Sequence, residues 1–433
     1  MKKINIGLVG FGTVGVGLLK ILRERKSLIK EKTGFEFVVK RVCDKDFITR
    51  RPVKLDRYIK TKNVNDIIND PEIDVVVELI GGINPAKDII INSLSKKKHV
   101  VTANKALLAQ EGKDIFKAAR HYKRNIYFEA SVGAGIPIIK TLRESIIANK
   151  VEGIFGVING TSNFVLTRMS ELGCSFNNAL LDAKKKGFAE RNPSLDIEGI
   201  DSAHKLLILV YLAFGKLFKL EDIYIEGISK ISLSDIKFAE EMNLVIKLLA
   251  IAKKEGKALD VRVHPTMVPK ENMLSSVNGI FNAVYINTDM MGDLLLYGQG
   301  AGQLSAASGV ASDLIDLARD LQSSSNTFSE KLFLRKPELE KLVKIADIQS
   351  KYYIRFMAID KPGVLARIAG VLGKFGISIS SVTQKGRRRA KIVPIIMLTH
   401  ESKEKNLRLA LEKIYKLAVI RDYPVAIRIE KEL

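Results

Sequence analysis

The run Gly10-Phe11-Gly12-Thr13-Val14-Gly15 constrains the fold more than any other stretch of the chain. It follows an apolar run, 4–9, that is typical of a buried strand, and it opens a helical pattern over 14–32. In such a turn the first glycine permits a tight bend, the second lets the backbone approach a pyrophosphate, and the third lets helix and strand pack closely. A purely structural glycine turn is the alternative, but this context favours a dinucleotide-binding unit.

An acidic residue at the end of the second strand would complete such a site, because it can bind the adenosine ribose of the cofactor. The run 35–43 is the second predicted strand, and Asp44 follows it directly. Asp44 favours NAD, whereas Lys45, Arg50 and Arg51 would neutralise the 2′-phosphate of NADP. The sequence leaves both cofactors open.

Alternating strand and helix patterns continue through residues 1–130 and predict a doubly wound parallel sheet. Residues 131–322 read as a mixed α+β domain, with helical patterns at 138–147, 177–186, 200–214 and 236–252 and strand-like runs at 151–157, 261–267 and 282–287. A helix near 303–320 is expected to complete the N-terminal domain. A polar stretch opens a linker, 323–350, and the tail, 351–433, has the order βαββαβ of a ferredoxin-like module.

The charge balance is +22, from 70 Lys and Arg against 48 Asp and Glu, and it raises the question of a polyanionic partner. The basic residues are spread over nearly every segment, without the aromatic-interleaved stripe of a single-strand binder. A lysine-rich surface explains the excess, so we expect no nucleic-acid partner. The longest apolar run, 206–215, is half of the ~20 residues that a membrane-spanning helix needs. Together with only two cysteines, this predicts a cytoplasmic protein without a membrane partner.

Three acidic residues and a lysine are concentrated in the middle of the chain. Glu190, Asp196 and Asp201 fall within twelve residues, and Lys205 follows Asp201 by four, which places both on one face of the predicted helix 200–214. That helix is otherwise apolar, so Lys205 is expected to be partly buried. An ion pair that stabilises the helix would explain the spacing. The functional alternative is a lysine acid held by a carboxylate.

The stretch 183–205 resembles the signature of the homoserine dehydrogenase family, and the resemblance covers the whole chain. Further blocks similar to that family lie at 7–15, 74–82, 99–109, 129–137, 158–163, 263–269 and 279–302. The tail resembles an ACT domain in its Asp360-Lys-Pro-Gly turn and its Gly376-Ile-Ser-Ile strand. The resemblance implies an N-terminal Rossmann-like domain, a catalytic and dimerisation domain, and a regulatory tail.

The resemblance also implies a reaction, the reversible NAD(P)-dependent interconversion of L-aspartate 4-semialdehyde and L-homoserine. Lys205 matches the family's proton donor, and Asp201 matches its carboxylate partner at the substrate hydroxyl. Glu190 matches the residue that binds the homoserine amine, and Asp196 is assigned with it to substrate binding.

Cofactor and metal contacts follow from the same resemblance. Beyond residues 10–15, the positions that match cofactor contacts are Asp44, Thr102, Lys105, Gly187 and Gly302. The positions that match a sodium site made mainly of backbone carbonyls are Glu129, Val132, Ala134 and Ile136. Hard cations prefer oxygen ligands, which agrees with this assignment, although a plain turn would account for the same loop.

The ACT-like tail implies feedback control by an end-product amino acid, with threonine as the family's usual effector, and a homodimer or homotetramer. Two alternatives remain: a related semialdehyde or amino-acid dehydrogenase on the same scaffold, and a catalytically silent amino-acid-sensing or nucleic-acid-binding protein. The intact set of Glu190, Asp201 and Lys205 argues against the silent protein. His204 is expected to pack on a different helix face from Lys205, and Arg387–Arg389 to form a solvated hairpin tip.

Overall fold

A computed structural model describes residues 2–322, 341–384 and 392–430. The linker residues 323–340 and the tip Arg387–Arg389 lie outside these described residues. The chain divides into two compact units. The first unit comprises Met1–Ile154, Asp201–Asp222 and Ile280–Glu340, and the second comprises Phe155–Ile200, Ile223–Gly279 and Lys341–Leu433.

The helices, in chain order, are α1 (Thr13–Glu24), α2 (Lys26–Thr33), α3 (Asn65–Ile68), α4 (Ala86–Ser95), α5 (Lys105–Tyr122), α6 (Ile138–Lys140), α7 (Gly160–Leu172), α8 (Phe176–Lys185), α9 (Ser194–Ile197), α10 (Ile200–Phe214), α11 (Leu233–Glu241), α12 (Gln303–Gln322), α13 (Val364–Lys374) and α14 (Glu404–Tyr415). Among the described residues, none of these helices has the length and apolar character needed to cross a membrane.

The strands are β1 (Lys2–Val9), β2 (Phe35–Cys43), β3 (Lys60–Thr61), β4 (Val75–Glu78), β5 (His99–Thr102), β6 (Ile126–Tyr127), β7 (Val151–Val157), β8 (Tyr224–Ile225), β9 (Leu244–Glu255), β10 (Ala258–Pro269), β11 (Phe281–Thr288), β12 (Gly292–Gln299), β13 (Lys341–Leu342), β14 (Gln349–Ile359), β15 (Ile379–Gln384), β16 (Ile392–Thr399), β17 (Ser402–Lys403) and β18 (Val425–Ile429).

A parallel sheet with the strand order β3-β2-β1-β4-β5-β6 organises the first unit. Successive side chains of a strand point to opposite faces, so Val75 and Val77 of β4 join one apolar cluster while Val76 joins another. Residues of α1 and α12 cover the first face, and Ile89 of α4 packs on the second. Apolar cores on both faces are typical of a doubly wound sheet, and the predicted fold class is confirmed.

The helix expected near 303–320 is α12, which packs against α1 in the first unit. Gly17 makes this close approach possible. A Cβ at Gly17 would lie 2.8 Å from the carbonyl oxygen of Gln303 and 2.9 Å from the Cβ of Ala307. A late segment of the chain therefore completes the core that the first strand begins.

The tail forms the predicted βαββαβ module, in which β14, β16 and β15 are antiparallel neighbours and β18 pairs with the other edge of β14. Its core contains apolar residues of β14, α13 and α14. The tail also joins the central segment of the second unit. Strand β18 runs parallel to β10, with Thr266 opposite Arg428, and β10 forms a long antiparallel pair with β9.

The prediction of a helix over 236–252 is wrong in its second half, which is a strand. Helix α11 ends at Glu241, Asn243 adopts a left-handed conformation with φ +58°, and β9 begins at Leu244. A nearly continuous apolar run has no period that distinguishes a buried strand from a buried helix. Pairing with β10 along the whole of β9 decides the matter. Helix α7 and strand β12 were not predicted, and the first predicted helix is interrupted at Arg25.

Buried ion pairs connect the tail to the central segment of the second unit. Asp235 of α11 receives a bidentate contact from Arg355 of β14, at 2.8 and 3.2 Å, and a hydrogen bond of 2.9 Å from the Tyr353 hydroxyl. Arg262 of β10 contacts Glu430 at 2.5 Å. Charges removed from water are tolerated only when they are paired, so these contacts hold the two segments together once both are folded.

Replacing Asp235 with alanine should lower the free energy of unfolding by about 3–5 kcal/mol, because Arg355 and the Tyr353 hydroxyl would stay buried without their acceptor. Chemical denaturation followed by circular dichroism measures the change. Asp422, which is exposed in the same unit, provides the control: Asp422→Ala should change stability by less than about 0.5 kcal/mol. Equal stability of the two variants would contradict the prediction.

Candidate active site

The glycine turn lies between β1 and α1, at the carboxyl edge of the parallel sheet. Gly10 has φ +104° and donates its N–H to the carbonyl of Cys43 at the end of β2, at 2.9 Å. A Cβ at Gly15 would lie 2.2 Å from the carbonyl oxygen of Gly10, whereas a Cβ at Gly12 would meet no atom of the described chain within 4 Å. Open space at Gly12, which caps α1, is what a phosphate group needs.

A cleft of about 520 Å³ opens in front of this turn. Its lining includes Gly10, Gly12, Asp44, Lys45, Lys62 and Gly81. The chain moves outward from β1 to β2 and then returns to β4 on the other side, so β1 and β4 flank the switch point of the sheet. Open α/β sheets bind their ligands at this place, outside the carboxyl ends of the strands.

Asp44 holds the glycine turn by direct hydrogen bonds. Its carboxylate accepts the N–H of Phe11 at 2.5 Å and the N–H of Asp46 at 2.8 Å. The Arg51 guanidinium lies 4.8 Å from the centre of the Phe11 ring and 4.0 Å from the Asp44 carboxylate. Asp44 therefore lies at the glycine turn, directly after β2, with the Arg51 guanidinium near its carboxylate.

Thr102 is enclosed in the sheet. Its hydroxyl donates to the carboxylate of Glu78 at 2.7 Å, and both residues are fully buried. Glu78 also accepts the N–H of Ile80 at 2.8 Å, and so it fixes the turn that lines the cleft after β4. Sequence reasoning did not single out Glu78. An acid that ends an apolar strand of three valines was the available signal.

Asp201 lies between two lysine side chains in the first unit. Its Oδ2 is 2.7 Å from Lys205 Nζ, one turn further along α10, and its Oδ1 is 2.7 Å from Lys105 Nζ, at the start of α5. The side chains of Asp201 and Lys205 are each 8% exposed, whereas that of Lys105 is 41% exposed. The cluster therefore has a buried side and a side open to solvent.

Opposing effects act on the Asp201 carboxyl. Burial alone would raise its pKa, but the ammonium groups of Lys205 and Lys105 outweigh burial and hold the pKa well below its ordinary value. The carboxylate therefore stays ionised at neutral pH and supplies the counter-charge for both ammonium groups. Such a buried ammonium can donate a proton to an oxygen that gains negative charge.

Asn104, the residue before Lys105, connects the start of α5 to the loop that lines the cleft. Asn104 caps α5 by accepting the N–H of Leu107 at 3.2 Å, and its amide donates to the carbonyl of Gly82 at 2.6 Å. Gly81, the residue before Gly82, lines the cleft. The start of α5 is thereby fixed to the loop that follows β4.

His204 contacts a neighbouring helix. Its Nε2 is 3.1 Å from Nε2 of Gln110 on α5, the same helix that carries Lys105. Asp201 and His204 are three residues apart on α10, so both face α5. The adjacent residues His204 and Lys205 point about 100° apart around the helix, as expected, but the hydrogen bond to Gln110 was not predicted.

Helix α7 anchors the segment that contains Glu190 in the second unit. Asn159 caps α7 and donates to the Asp196 carboxylate at 2.7 Å, and the Thr161 hydroxyl donates to the Phe188 carbonyl at 2.8 Å. Asp196 is half-buried in this contact, whereas Glu190 is exposed. Gly187, with φ +74°, lies exposed just after α8.

The predicted sodium loop follows β6. Gly133 and Ala134 both have positive φ, +69° and +54°, which turns their peptide units away from regular structure. The Glu129 carboxylate accepts the N–H groups of Ile139 and Lys140 at 2.8 and 2.9 Å, and burial raises its pKa to about 7. The Glu129 side chain therefore satisfies two N–H groups of α6. Among the described residues, no cluster of three or more His, Cys, Asp or Glu side chains is arranged to hold a metal ion.

Gly302 precedes α12 with φ +123°, a conformation that other residues rarely adopt. The loop before it is connected to the predicted sodium loop through Ser305. The Ser305 hydroxyl accepts the N–H of Gly135 at 3.1 Å and donates to the carbonyl of Gln299 at 3.0 Å. The structure thus brings Gly302 and the 133–136 turn into neighbouring positions.

A doubly wound sheet with an open glycine turn at its switch point is typical of proteins that bind NAD or NADP, and a buried ammonium beside it suits the proton transfer that accompanies hydride transfer. The chain is an NAD(P)-dependent oxidoreductase. It belongs to the homoserine dehydrogenase family.

Three family models match successive parts of the chain. The model described as homoserine dehydrogenase, NAD binding domain, matches residues 10–129. The model described as homoserine dehydrogenase matches residues 137–315, and the ACT domain model matches residues 352–419.

Relatives match the chain along its full length. A homoserine dehydrogenase of Neisseria gonorrhoeae is 40% identical over 99% of both chains, and one of Pseudomonas aeruginosa is 39% identical over 100% of both. A crystal structure of a homoserine dehydrogenase from Thiobacillus denitrificans has a TM-score of 0.92 at 40% identity, covering 100% of this chain and 99% of that one.

Proposed function

We propose that this chain catalyses the reversible NAD(P)-dependent interconversion of L-aspartate 4-semialdehyde and L-homoserine. The observation that carries the proposal is the contact of Asp201 with Lys205 and Lys105, at 2.7 Å each. Membership of the family supports the choice of substrate.

The bound cofactor supplies hydride to the aldehyde carbon in the reductive direction. As the aldehyde oxygen gains negative charge, the Lys205 ammonium donates a proton to it. Asp201 keeps that ammonium in place and compensates its charge in a buried position. Glu190, which is exposed, pairs with the ammonium group of the substrate and orients it. Asp196 acts less directly, because its contact with Asn159 fixes the segment that carries Glu190.

Lys105 pairs with Asp201, and in this proposal it also contacts the cofactor or the substrate. It lies at the start of α5, beside the cleft, and its side chain is partly exposed. It can therefore contact the cofactor or substrate while Asp201 holds its ammonium. Gly187 and Gly302, both outside regular structure, are proposed to contact the cofactor through their backbones.

The cleft accepts NADP in this proposal. Lys45 and Lys62 line it together with Asp44, whose carboxylate already accepts two backbone N–H groups. Arg51 adds a third cation near Asp44, at 4.0 Å. A 2′-phosphate placed there would meet three positive charges and one carboxylate.

Backbone carbonyls of the 129–136 loop are proposed to bind Na⁺. The donor set suits this ion, since hard cations take oxygen ligands. The proposed ligands are the carbonyls of Glu129, Val132, Ala134 and Ile136. The ion would stabilise the turn that adjoins the loop before Gly302.

Initial-rate kinetics test the function as a whole. Homoserine oxidation should be measured with NADP and with NAD, in NaCl and in choline chloride at equal ionic strength. We expect turnover with homoserine, a higher kcat/KM with NADP, and a higher rate in NaCl. Activity with related amino-acid alcohols but not with homoserine would instead support another dehydrogenase on the same scaffold.

Replacing Lys205 with methionine should lower kcat by about 10²–10⁴-fold, because the developing alkoxide loses its proton donor. Fluorescence titration with NADPH should show nearly unchanged cofactor binding. Lys113→Met, an exposed position on α5, is the matched control and should leave both quantities unchanged. Near-normal kcat in Lys205→Met would refute the proton-donor assignment.

The ACT-like tail is proposed to bind an amino-acid effector, with threonine as the first candidate, and the protein is proposed to be a homodimer or homotetramer. Strand pairing and buried ion pairs join the tail to the central segment of the second unit. A change of conformation in the tail on effector binding would therefore act directly on that segment. Strand β15 ends the sheet, and an exposed edge strand can pair with another chain.

Threonine should therefore lower the rate of homoserine oxidation by the intact protein. Arg355→Gln, which weakens the contact with Asp235, should reduce this inhibition while kcat without threonine stays the same. Arg367→Gln, exposed on α13, is the control and should be inhibited like the original protein. Light scattering after size exclusion reports the oligomer. Absence of both threonine inhibition and threonine binding by calorimetry would contradict the choice of effector.

A further inference from the structure

Two polar contacts near the proposed active site join α5 to α10 in the first unit, in addition to the stacked rings of Phe116 and Tyr211, whose centres are 4.9 Å apart. The first is the ion pair of Lys105 with Asp201 at 2.7 Å. The second is the hydrogen bond between Gln110 and His204, with 3.1 Å between the two Nε2 atoms. The hydrogen bond between Gln110 and His204 therefore holds the same two helices that carry Lys105 and Asp201.

The second contact has a defined chemistry. The Gln110 amide nitrogen can only donate, so His204 Nε2 must accept, and the neutral ring carries its proton on Nδ1. His204 is 6% exposed, and burial lowers its pKa, which favours the neutral ring. Gln110 is exposed, so it can be replaced without opening a cavity in the core.

The charged groups that act on His204 are those of the proposed active site. Asp201 favours the protonated ring, while Lys105 and Lys205 disfavour it. A protonated His204 would be a third cation beside a single carboxylate, and it would compete with Lys105 for Asp201. A neutral His204 avoids this competition.

We propose that Gln110 and His204 are positioning residues of the active site: their hydrogen bond keeps the imidazole as an acceptor toward α5, so that it does not compete with Lys105 and Lys205 for Asp201. This inference rests on the proposed roles of Asp201 and Lys205. It adds a residue pair of which His204 titrates, and protonation of His204 sets the low-pH limit of activity.

Gln110→Glu tests the inference most directly, because a carboxylate cannot donate to Nε2 and instead stabilises the protonated ring. The low-pH limb of the kcat/KM profile should move up by one pH unit or more, since an opposite charge at this distance raises the pKa of a histidine by that amount. Activity at high pH should be largely retained, which shows that the variant folds. Gln110→Met, which removes the bond without adding charge, should lower kcat/KM several-fold without a comparable shift of the limb.

Two controls separate this role from a structural one. Lys117→Glu places a carboxylate on an exposed position of α5, two turns from Gln110, and should not move the limb. The imidazole signals of the five histidines in nuclear magnetic resonance spectra give the pKa of His204 without any turnover, with His204→Asn as the assignment standard. That pKa should rise in Gln110→Glu.

The outcomes are distinct. An unchanged limb together with an unchanged His204 pKa in Gln110→Glu would overturn the inference. A raised His204 pKa with an unchanged limb would also overturn it, because the imidazole would then not influence the active site. A chain that does not oxidise homoserine at any pH would refute the proposed function instead, while the measured pKa would still report on the hydrogen bond.

Discussion

The contact of one carboxylate with two ammonium groups is the interaction on which the proposed active site depends. Asp201 is buried, and it is kept ionised by Lys205 and Lys105 against the effect of burial. The contact also joins α5, whose start is fixed to the cofactor cleft, to α10, which carries Lys205. The cleft and the proposed proton donor are thus connected through the Asp201 carboxylate. If its charge is removed, the buried Lys205 ammonium and the partly exposed Lys105 ammonium lose their shared counter-charge.

Local sequence patterns predicted the parts of this arrangement that depend on short spacing. The glycine turn and the pair Asp201–Lys205 follow from residues within one turn or one helix, and both are present in the structure. The contact of Lys105 with Asp201 joins residues far apart in the chain, and residue spacing alone could not predict it. Gln110 and its hydrogen bond with His204 were missed for the same reason.

Failures in the fold have a related physical cause. The second half of the 236–252 pattern became β9 because an apolar run fits a buried strand or a buried helix, and the distant partner β10 decides between them. Thr102 and Asp196 are held by Glu78 and Asn159, and only the folded chain reveals these partners. Family resemblance supplied the residue roles at such positions, but it did not supply the contacts that hold the side chains in place.

Late segments of the chain complete both units, and this bears on how the protein is made. Tyr127 forms a hydrogen bond with Asp320, which follows it by 193 residues. Arg262 pairs with Glu430, and 168 residues separate these two. During synthesis the β9–β10 pair emerges well before β18. Until β18 is made, the part of β10 that pairs with it lacks its hydrogen-bonding partner. Long-range pairings of this kind slow folding and expose strand edges meanwhile. A nascent chain that stalls before its last residues would therefore lack the tail's closing strand and also an edge of the central segment.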